Sequence, residues 1–104
     1  MKVVDLNVLL YAINADAPEH AGARRWWESA LNGEEPVGLA WTVVLGFLRL
    51  TTRGGILPRP LTPMQALDTV QEWIDHPIVV FLSPGDAHWS RLRSFVESAG
   101  LAGN

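Results

Sequence analysis

The sequence predicts an α/β fold of three layers, α/β/α, around a short central parallel sheet. Short apolar runs of strand length alternate with longer segments whose apolar residues repeat at helical spacing, in the order β-α-α-β-α-α-β-α. The clearest strand, residues 78–82, is apolar at every position, which is typical of a parallel strand covered on both faces. The 104 residues fit one domain, residues 1–104. Three strands are few for such a sheet, so we expect a domain that is incomplete at its C-terminus, with its last strands missing.

The first half of the chain contains two strands and three helices. The predicted elements are a buried strand at residues 3–5, helices at 7–13 and 20–31, a strand at 36–40, and a third helix that Thr42 caps. The pair Asn32-Gly33 ends the second helix, because both residues tolerate left-handed backbone geometry. Two consecutive glycines, Gly54 and Gly55, end the third helix.

The second half contains two helices separated by the strand at residues 78–82. The run Thr62-Pro63-Met64-Gln65 has a capping-box pattern with proline at the first helical position, so we expect a helix from there to Pro77. A last helix is predicted to start at Ser83 and to end at Gly100, with an apolar face that includes His88.

Composition excludes several classes of protein. The chain has no cysteine, so it has no disulfide, zinc–thiolate site or thiol nucleophile, which fits a cytoplasmic protein. Charges at Lys2 and Asp5 come too early for a signal peptide, and no apolar run approaches the ~20 residues that span a membrane. The net charge of −3 does not indicate a nucleic-acid binder, although an acidic nuclease can gather its carboxylates around cations.

Asp5 is the strongest candidate for a functional residue. It ends the predicted first strand, and ligands of parallel α/β sheets gather outside the carboxyl ends of the strands. A carboxylate at that position suits a hard cation such as Mg²⁺, which prefers oxygen ligands. Alternatively, Asp5 only caps the helix that follows it. Asn7 is open to the same two interpretations, support of a metal-bound water or capping, and capping is favoured for Asn7 alone.

Six segments together resemble one family. Residues 4–12 are similar to the opening motif of PIN-domain ribonucleases, in which an acid on the first strand precedes a buried helix. The likeness continues, in order and at fitting distances, through residues 20–27, 46–50, 60–62, 82–85 and 100–104. The whole pattern resembles the VapC-type toxins of bacterial toxin–antitoxin pairs.

That resemblance implies a function. It implies an endoribonuclease that uses Mg²⁺, or Mn²⁺, to cleave RNA, that is silenced by a VapB-like antitoxin, and that forms a homodimer. Members of the family gather three or four acids at one end of a parallel sheet, where the ions activate water and stabilise charge on the phosphodiester. The first of these acids corresponds to Asp5.

The sequence also departs from the family pattern. The second acid usually lies early on the helix that precedes the Gly-Phe-Leu-Arg stretch, where this chain has the apolar residues 43–45. The remaining acids belong to a segment that would follow Asn104. We therefore expect the 104-residue chain to be inactive as a nuclease, and whether it is an enzyme stays open. The alternative is a truncated, non-catalytic PIN module that serves dimerisation or antitoxin binding.

Arginines, histidines and one tryptophan are weaker candidates. Arg49 is assigned to contact with phosphate or antitoxin, because a planar guanidinium offers several donors, whereas Arg53 and Arg59 fit a solvated helix end whose dipole they complement.

His20 is expected to be a capping or surface residue, and His88 is expected to belong to the core. Of the five tryptophans, only Trp41 is a candidate for stacking on RNA bases, and the rest are assigned to the core or to an interface.

Two other enzyme classes fit poorly. A haloacid-dehalogenase phosphatase needs an acid two residues after its nucleophilic aspartate, and this chain has Asn7 there, with Lys2 as its only lysine. A dinucleotide-binding domain needs a glycine-rich turn after the first strand, and none follows residues 3–5.

Overall fold

The structure of the protein is a computed structural model, and it describes residues 1–83 together with Ser90, Arg93, Ser94 and Glu97. The elements are β1 (Lys2–Val3), α1 (Leu6–Ile13), α2 (His20–Leu31), β2 (Val37–Ala40), α3 (Trp41–Thr52), α4 (Pro63–Ile74) and β3 (Val79–Leu82). The predicted α/β class and PIN-like order of elements are confirmed. The four single residues after residue 83 are helical, but His88 and the rest of the predicted last helix lie outside the described residues.

The three strands form one parallel sheet in the order β1-β2-β3. Val37 lies beside Lys2 of β1 and beside Val79 of β3. Each strand pairs with the next strand of the sequence, and two helices connect them. Such connections between parallel strands are right-handed, so the pairs α1–α2 and α3–α4 lie on the same face of the sheet. The carboxyl ends of all three strands therefore meet at one edge of the sheet, which we call the carboxyl edge.

The hydrophobic core lies between that face of the sheet and the four helices. Val4, Val37 and Leu39 are buried on the sheet side, and Phe47 of α3 is fully buried among the helices. The Phe47 ring packs edge-on against Trp73 of α4, with a centroid distance of 4.8 Å. Burial of each large apolar side chain contributes about 1.5–3 kcal/mol, so these contacts hold the helices on the sheet.

The opposite face of the sheet is exposed in the described part of the chain. Met1 and Val3 are exposed there, and Gly38 lies in the middle of the face. A Cβ on Gly38 would lie 2.8 Å from Leu82 Cδ1 and 3.0 Å from Met1 Sδ, so the missing side chain lets its neighbours extend across β2. The third layer that the sequence predicts is not contained in residues 1–83.

The prediction that both faces of the last strand are covered is wrong for these residues. Val80 and Phe81 are 39% and 37% exposed, respectively. The reason is topological, because β3 is an edge strand and the helices of residues 1–83 cover one face of the sheet only.

The predicted cap of α4 is confirmed in atomic detail. The backbone N–H of Gln65 donates to Thr62 Oγ1 over 3.1 Å, and the backbone N–H of Thr62 donates to Gln65 Oε1 over 2.9 Å. This reciprocal pair satisfies two of the amide groups that a helix start leaves unpaired. Pro63 occupies the first turn, as the sequence predicts.

The predicted cap of α3 is wrong. The N-cap residue is Ala40 rather than Thr42, because the extended backbone of β2 turns directly into the helix at Trp41. Thr42 therefore lies inside the first turn. Two predicted ends are also wrong: β1 is Lys2–Val3, with both residues exposed, and so ends two residues before Asp5, and α4 ends at Ile74 rather than continuing to Pro77. The starts of α1 at Leu6, β2 at Val37 and β3 at Val79 differ from the predicted ones by one residue.

No helix among the described residues is both long and apolar enough to cross a lipid bilayer.

Candidate functional site at the carboxyl edge of the sheet

Asp5 lies at the carboxyl edge, between β1 and α1. The hydrogen bond from the backbone N–H of Val4 to the carbonyl of Gly38, 3.1 Å long, extends the β1–β2 pairing by one residue beyond β1. Asp5 follows with an extended backbone and is the N-cap residue of α1. Its side chain is exposed, so the position predicted for a metal-binding carboxylate is accessible from solvent.

The side chain of Asp5 does not cap the helix. Its backbone carbonyl accepts from the N–H groups of Val8 and Leu9, at 3.1 and 3.4 Å, but the carboxylate accepts no bond from the first turn. Within the described part of the chain the carboxylate also forms no ion pair. The alternative that Asp5 acts only as a capping side chain is therefore not supported, and both carboxylate oxygens can bind a ligand.

Asn7 and Arg49 lie on different parts of the molecule. Asn7 is exposed in the first turn of α1, one residue after the helix begins. Arg49 is exposed in the last turn of α3 and lines a groove of about 660 Å³ between α3 and α4. The groove is otherwise mostly apolar, with Leu45 and Leu67 among its walls. Asn7 thus lies two residues after Asp5, at the start of the same helix. Arg49 lies in a groove that neither Asp5 nor Asn7 lines.

Helix α3 nevertheless approaches the candidate site closely. Gly46, which lines the same groove, has no side chain, and a Cβ there would lie 2.7 Å from Leu6 Cδ2. Leu6 is the residue after Asp5. This contact was not predicted from the sequence, although a glycine inside an apolar helix is a signal of close packing.

The number of acids limits what the described site can hold. Residues 43–45, where the resemblance led us to expect a second acid, are Val43, Val44 and Leu45, and Val44 is buried. Among the described residues, no group of three or more histidine, cysteine, aspartate or glutamate side chains could hold a metal ion together. Asp5 alone fits one position in the oxygen shell of Mg²⁺ and leaves the other positions to water. The described residues therefore contain one candidate metal ligand, Asp5, and no second one beside it.

His20 has a structural role. Its Nδ1 lies 2.9 Å from the backbone carbonyl oxygen of Tyr11, so the first residue of α2 is tied to α1. His20 is partly buried and is the first residue of α2, whose N-cap is Glu19, so the predicted capping role is not observed. Arg53 and Arg59 are both exposed, as expected for a solvated helix end and loop.

Two of the tryptophans are buried and two are exposed among the described residues. Trp27 and Trp73 belong to the core, with ring centroids 5.6 Å apart. Trp26 is 40% exposed on α2, and Trp41 is 41% exposed at the start of α3. Trp41 is exposed as expected, with its ring against Phe81, but Trp26 is equally exposed, so exposure alone does not distinguish Trp41.

Comparison with known proteins identifies the family, although no protein-family model matches the chain. Ribonuclease VapC37 of Mycobacterium tuberculosis is 39% identical over 104 residues, which are 100% of this chain and 72% of the relative. Ribonuclease VapC43 of the same species is 36% identical over 104 residues, with coverage of 100% and 71%. Ribonuclease VapC33 is 34% identical over 102 residues, with coverage of 98% and 71%. The α/β fold, the exposed strand-end acid and these identities agree, and the chain belongs to the VapC family of PIN-domain ribonucleases.

Proposed function

We propose that the protein is the toxin of a VapBC-type toxin–antitoxin system, an endoribonuclease that uses Mg²⁺ to cleave RNA phosphodiester bonds. The observation that carries the proposal is the exposed carboxylate of Asp5 at the carboxyl edge, at the position of the family's first acid. The names of the relatives support RNA as the substrate, since they are ribonucleases that match along the whole chain.

Asp5 is the residue to which we assign the metal. When bound, Mg²⁺, or Mn²⁺ in its place, would supply activation of a water molecule and stabilisation of charge on the phosphodiester. The protein's own contribution is positional. The backbone fixes Asp5 at the junction of β1 and α1, and the first-turn amides of α1 favour an anionic group nearby. Asn7, exposed in the same turn, can orient a water molecule through its amide.

The same observations argue that cation binding by the 104-residue chain is weak. Only one carboxylate of the described residues occupies the assigned position, and no cluster of three accompanies it in that part of the chain. A single carboxylate does not fix a divalent ion firmly, because water fills the rest of the shell. We therefore expect little or no cleavage from this chain alone.

A second candidate function follows from that shortage of acids. A non-catalytic PIN module would keep the fold and its interaction surfaces and would need no metal site. The apolar residues 43–45 and the absence of an acid cluster among the described residues favour it. The two candidates differ in a measurable way, since the module binds its partner but does not hydrolyse RNA in any form.

We also infer the partners from the family. A VapB-like antitoxin is the expected regulator, and Arg49 in the α3–α4 groove is placed to pair with an acidic group of such a partner or with phosphate. A homodimer in the cytoplasm is expected as well. The exposed apolar side chains beside the groove, such as Leu45 and Leu67, support association with another protein surface.

The test is a cleavage assay on the full product of the reading frame, with single-stranded RNA and Mg²⁺. We expect cleavage that stops when the metal is chelated and that falls at least about a hundredfold in Asp5→Asn, with an unchanged circular dichroism spectrum. Asp68→Asn, an exposed acid on α4, is the matched control and should cleave like the wild type. If Asp5→Asn cleaves at the wild-type rate, the role of Asp5 is wrong. If the wild type binds an antitoxin but cleaves nothing, the non-catalytic module is correct.

A further inference from the structure

Trp41 and Phe81 form an exposed aromatic pair. Their ring centroids are 5.9 Å apart and their planes are inclined by 85°, an edge-to-face arrangement. Trp41 is 41% exposed and Phe81 is 37% exposed. Phe81 therefore supports one side of the indole while much of the ring remains accessible to solvent.

The pair lies close to Asp5. Val3 is paired with Gly38 and the β1–β2 hydrogen bonds extend to Val4, so Asp5 is level with Ala40, the residue before Trp41. One strand spacing of about 4.8 Å and one Cα–Cα step of 3.8 Å then place the Cα atoms of Asp5 and Trp41 within about 9 Å of each other. Trp41 thus places an exposed aromatic ring beside the assigned metal ligand at the carboxyl edge.

The orientation of the indole is fixed from two sides. Trp41 is the first residue of α3 and follows β2 without a loop, so its backbone is held by the sheet and by the helix. Phe81 of β3 is paired with Leu39, two residues before Trp41. A ring that is held in this way loses little further freedom when a flat ligand stacks on it.

A cation lies along the same helix. Thr42, the neighbour of Trp41, lines the α3–α4 groove together with Arg49. Arg49 is exposed and forms no ion pair within the described part of the chain. Arg49 lies about 12 Å from Trp41 along the helix axis. Binding of single-stranded nucleic acid combines an exposed aromatic face with positive charge along the path of the backbone.

We propose that Trp41, supported by Phe81, is a stacking platform for one unpaired base of the RNA. This base lies next to the phosphate at the metal site assigned to Asp5. The proposal rests on the proposed ribonuclease function and adds that the substrate is single-stranded at this position. A base in a duplex is stacked on its neighbours and does not offer its face to a side chain, whereas an unpaired base does.

The test measures the binding of a labelled single-stranded oligoribonucleotide by fluorescence anisotropy, in EDTA so that no cleavage occurs. Trp41→Ala should raise the Kd at least about fivefold, the lower range for loss of one base–aromatic stack. Trp41→Phe should stay within about threefold, because it keeps an aromatic face. Trp26→Ala is the matched control: Trp26 is 40% exposed but lies on α2, stacked on Trp27, and its loss should leave the Kd unchanged.

An abasic oligonucleotide series makes the assignment specific. Removal of the stacked base should weaken binding by the wild type and have no further effect on Trp41→Ala, since both changes delete the same contact. If Trp41→Ala binds RNA as tightly as the wild type does, the platform is wrong while the proposed function stands on the cleavage by wild type and its loss in Asp5→Asn. If Trp41→Ala changes only the sedimentation coefficient, the pair belongs to a protein interface and the proposal is also wrong. A folded wild type that neither binds nor cleaves RNA overturns both the proposed function and this inference.

Discussion

Gly46 of α3 lies against Leu6 of α1 so closely that a Cβ on Gly46 would come within 2.7 Å of Leu6 Cδ2. Real Cβ atoms do not approach other atoms so closely, so a larger residue at position 46 forces Leu6 to move. Leu6 directly follows Asp5, the candidate metal ligand. The glycine therefore leaves room for the Leu6 side chain between α3 and the helix that begins at the candidate site.

Replacement of Gly46 by alanine should cost stability relative to the same change at an open position. Alanine in a helix is favoured over glycine by about 1 kcal/mol, and Gly22 of α2 has nothing within 4 Å of its virtual Cβ, so Gly22→Ala should gain about 0.5–1 kcal/mol. In Gly46→Ala, overpacking against Leu6 should cancel this stabilisation. The variant should then be at least about 1 kcal/mol less stable than Gly22→Ala. The midpoints of urea denaturation of the two variants test this prediction. Equal midpoints would show that Leu6 moves aside without a loss of stability.

The α4 cap should contribute measurably to stability. Thr62→Ala removes the acceptor for the Gln65 N–H and should lower the free energy of unfolding by about 1 kcal/mol. Thr42→Ala is the control, because Thr42 lies inside the first turn of α3 rather than at its N-cap, and its change should stay within about 0.5 kcal/mol. Chemical denaturation measures the free energy of unfolding of both variants. A decrease in Thr42→Ala as large as that in Thr62→Ala would show that Thr42 caps α3 after all.

Two phenylalanines provide a contrast between core and surface. Phe47 is fully buried against Trp73, so Phe47→Ala should cost about 3–5 kcal/mol, enough to unfold much of a small domain. Phe81 is 37% exposed on an edge strand, and Phe81→Ala should cost less than half as much. Thermal denaturation followed by circular dichroism compares them. Similar melting temperatures for the two variants would mean that the core is not centred on Phe47.

Local chemistry made part of this structure predictable from sequence. The cap of α4 depends on four consecutive residues, 62–65, and the structure shows both of its predicted hydrogen bonds. The strands were found because their apolar runs are short and bounded; β2 and β3 agree with the prediction to within one residue at their ends, whereas β1 ends two residues before the predicted Asp5. The exposure of Asp5 at the carboxyl edge also follows from local sequence, since a parallel strand that ends on a charged residue places that residue outside the core.

Contacts between distant residues were not predictable in the same way. The pairs Gly46–Leu6 and Trp41–Phe81 join residues 40 positions apart, and their closeness depends on how helices and strands pack. The cap of α3 was misassigned to Thr42 for a related reason. Threonine is a favoured cap residue, but the turn from β2 into α3 is set by the sheet, which leaves Ala40 at the cap position.

The assignment of Asp5 to a metal is tested most directly by calorimetric titration of the 104-residue chain with Mg²⁺. One carboxylate with a shell otherwise made of water should bind with a Kd on the order of millimolar. Asp5→Asn should abolish that binding, whereas Asp68→Asn should retain it. Equal Mg²⁺ affinity of the wild type and Asp5→Asn, or micromolar affinity of the wild type, would contradict the account.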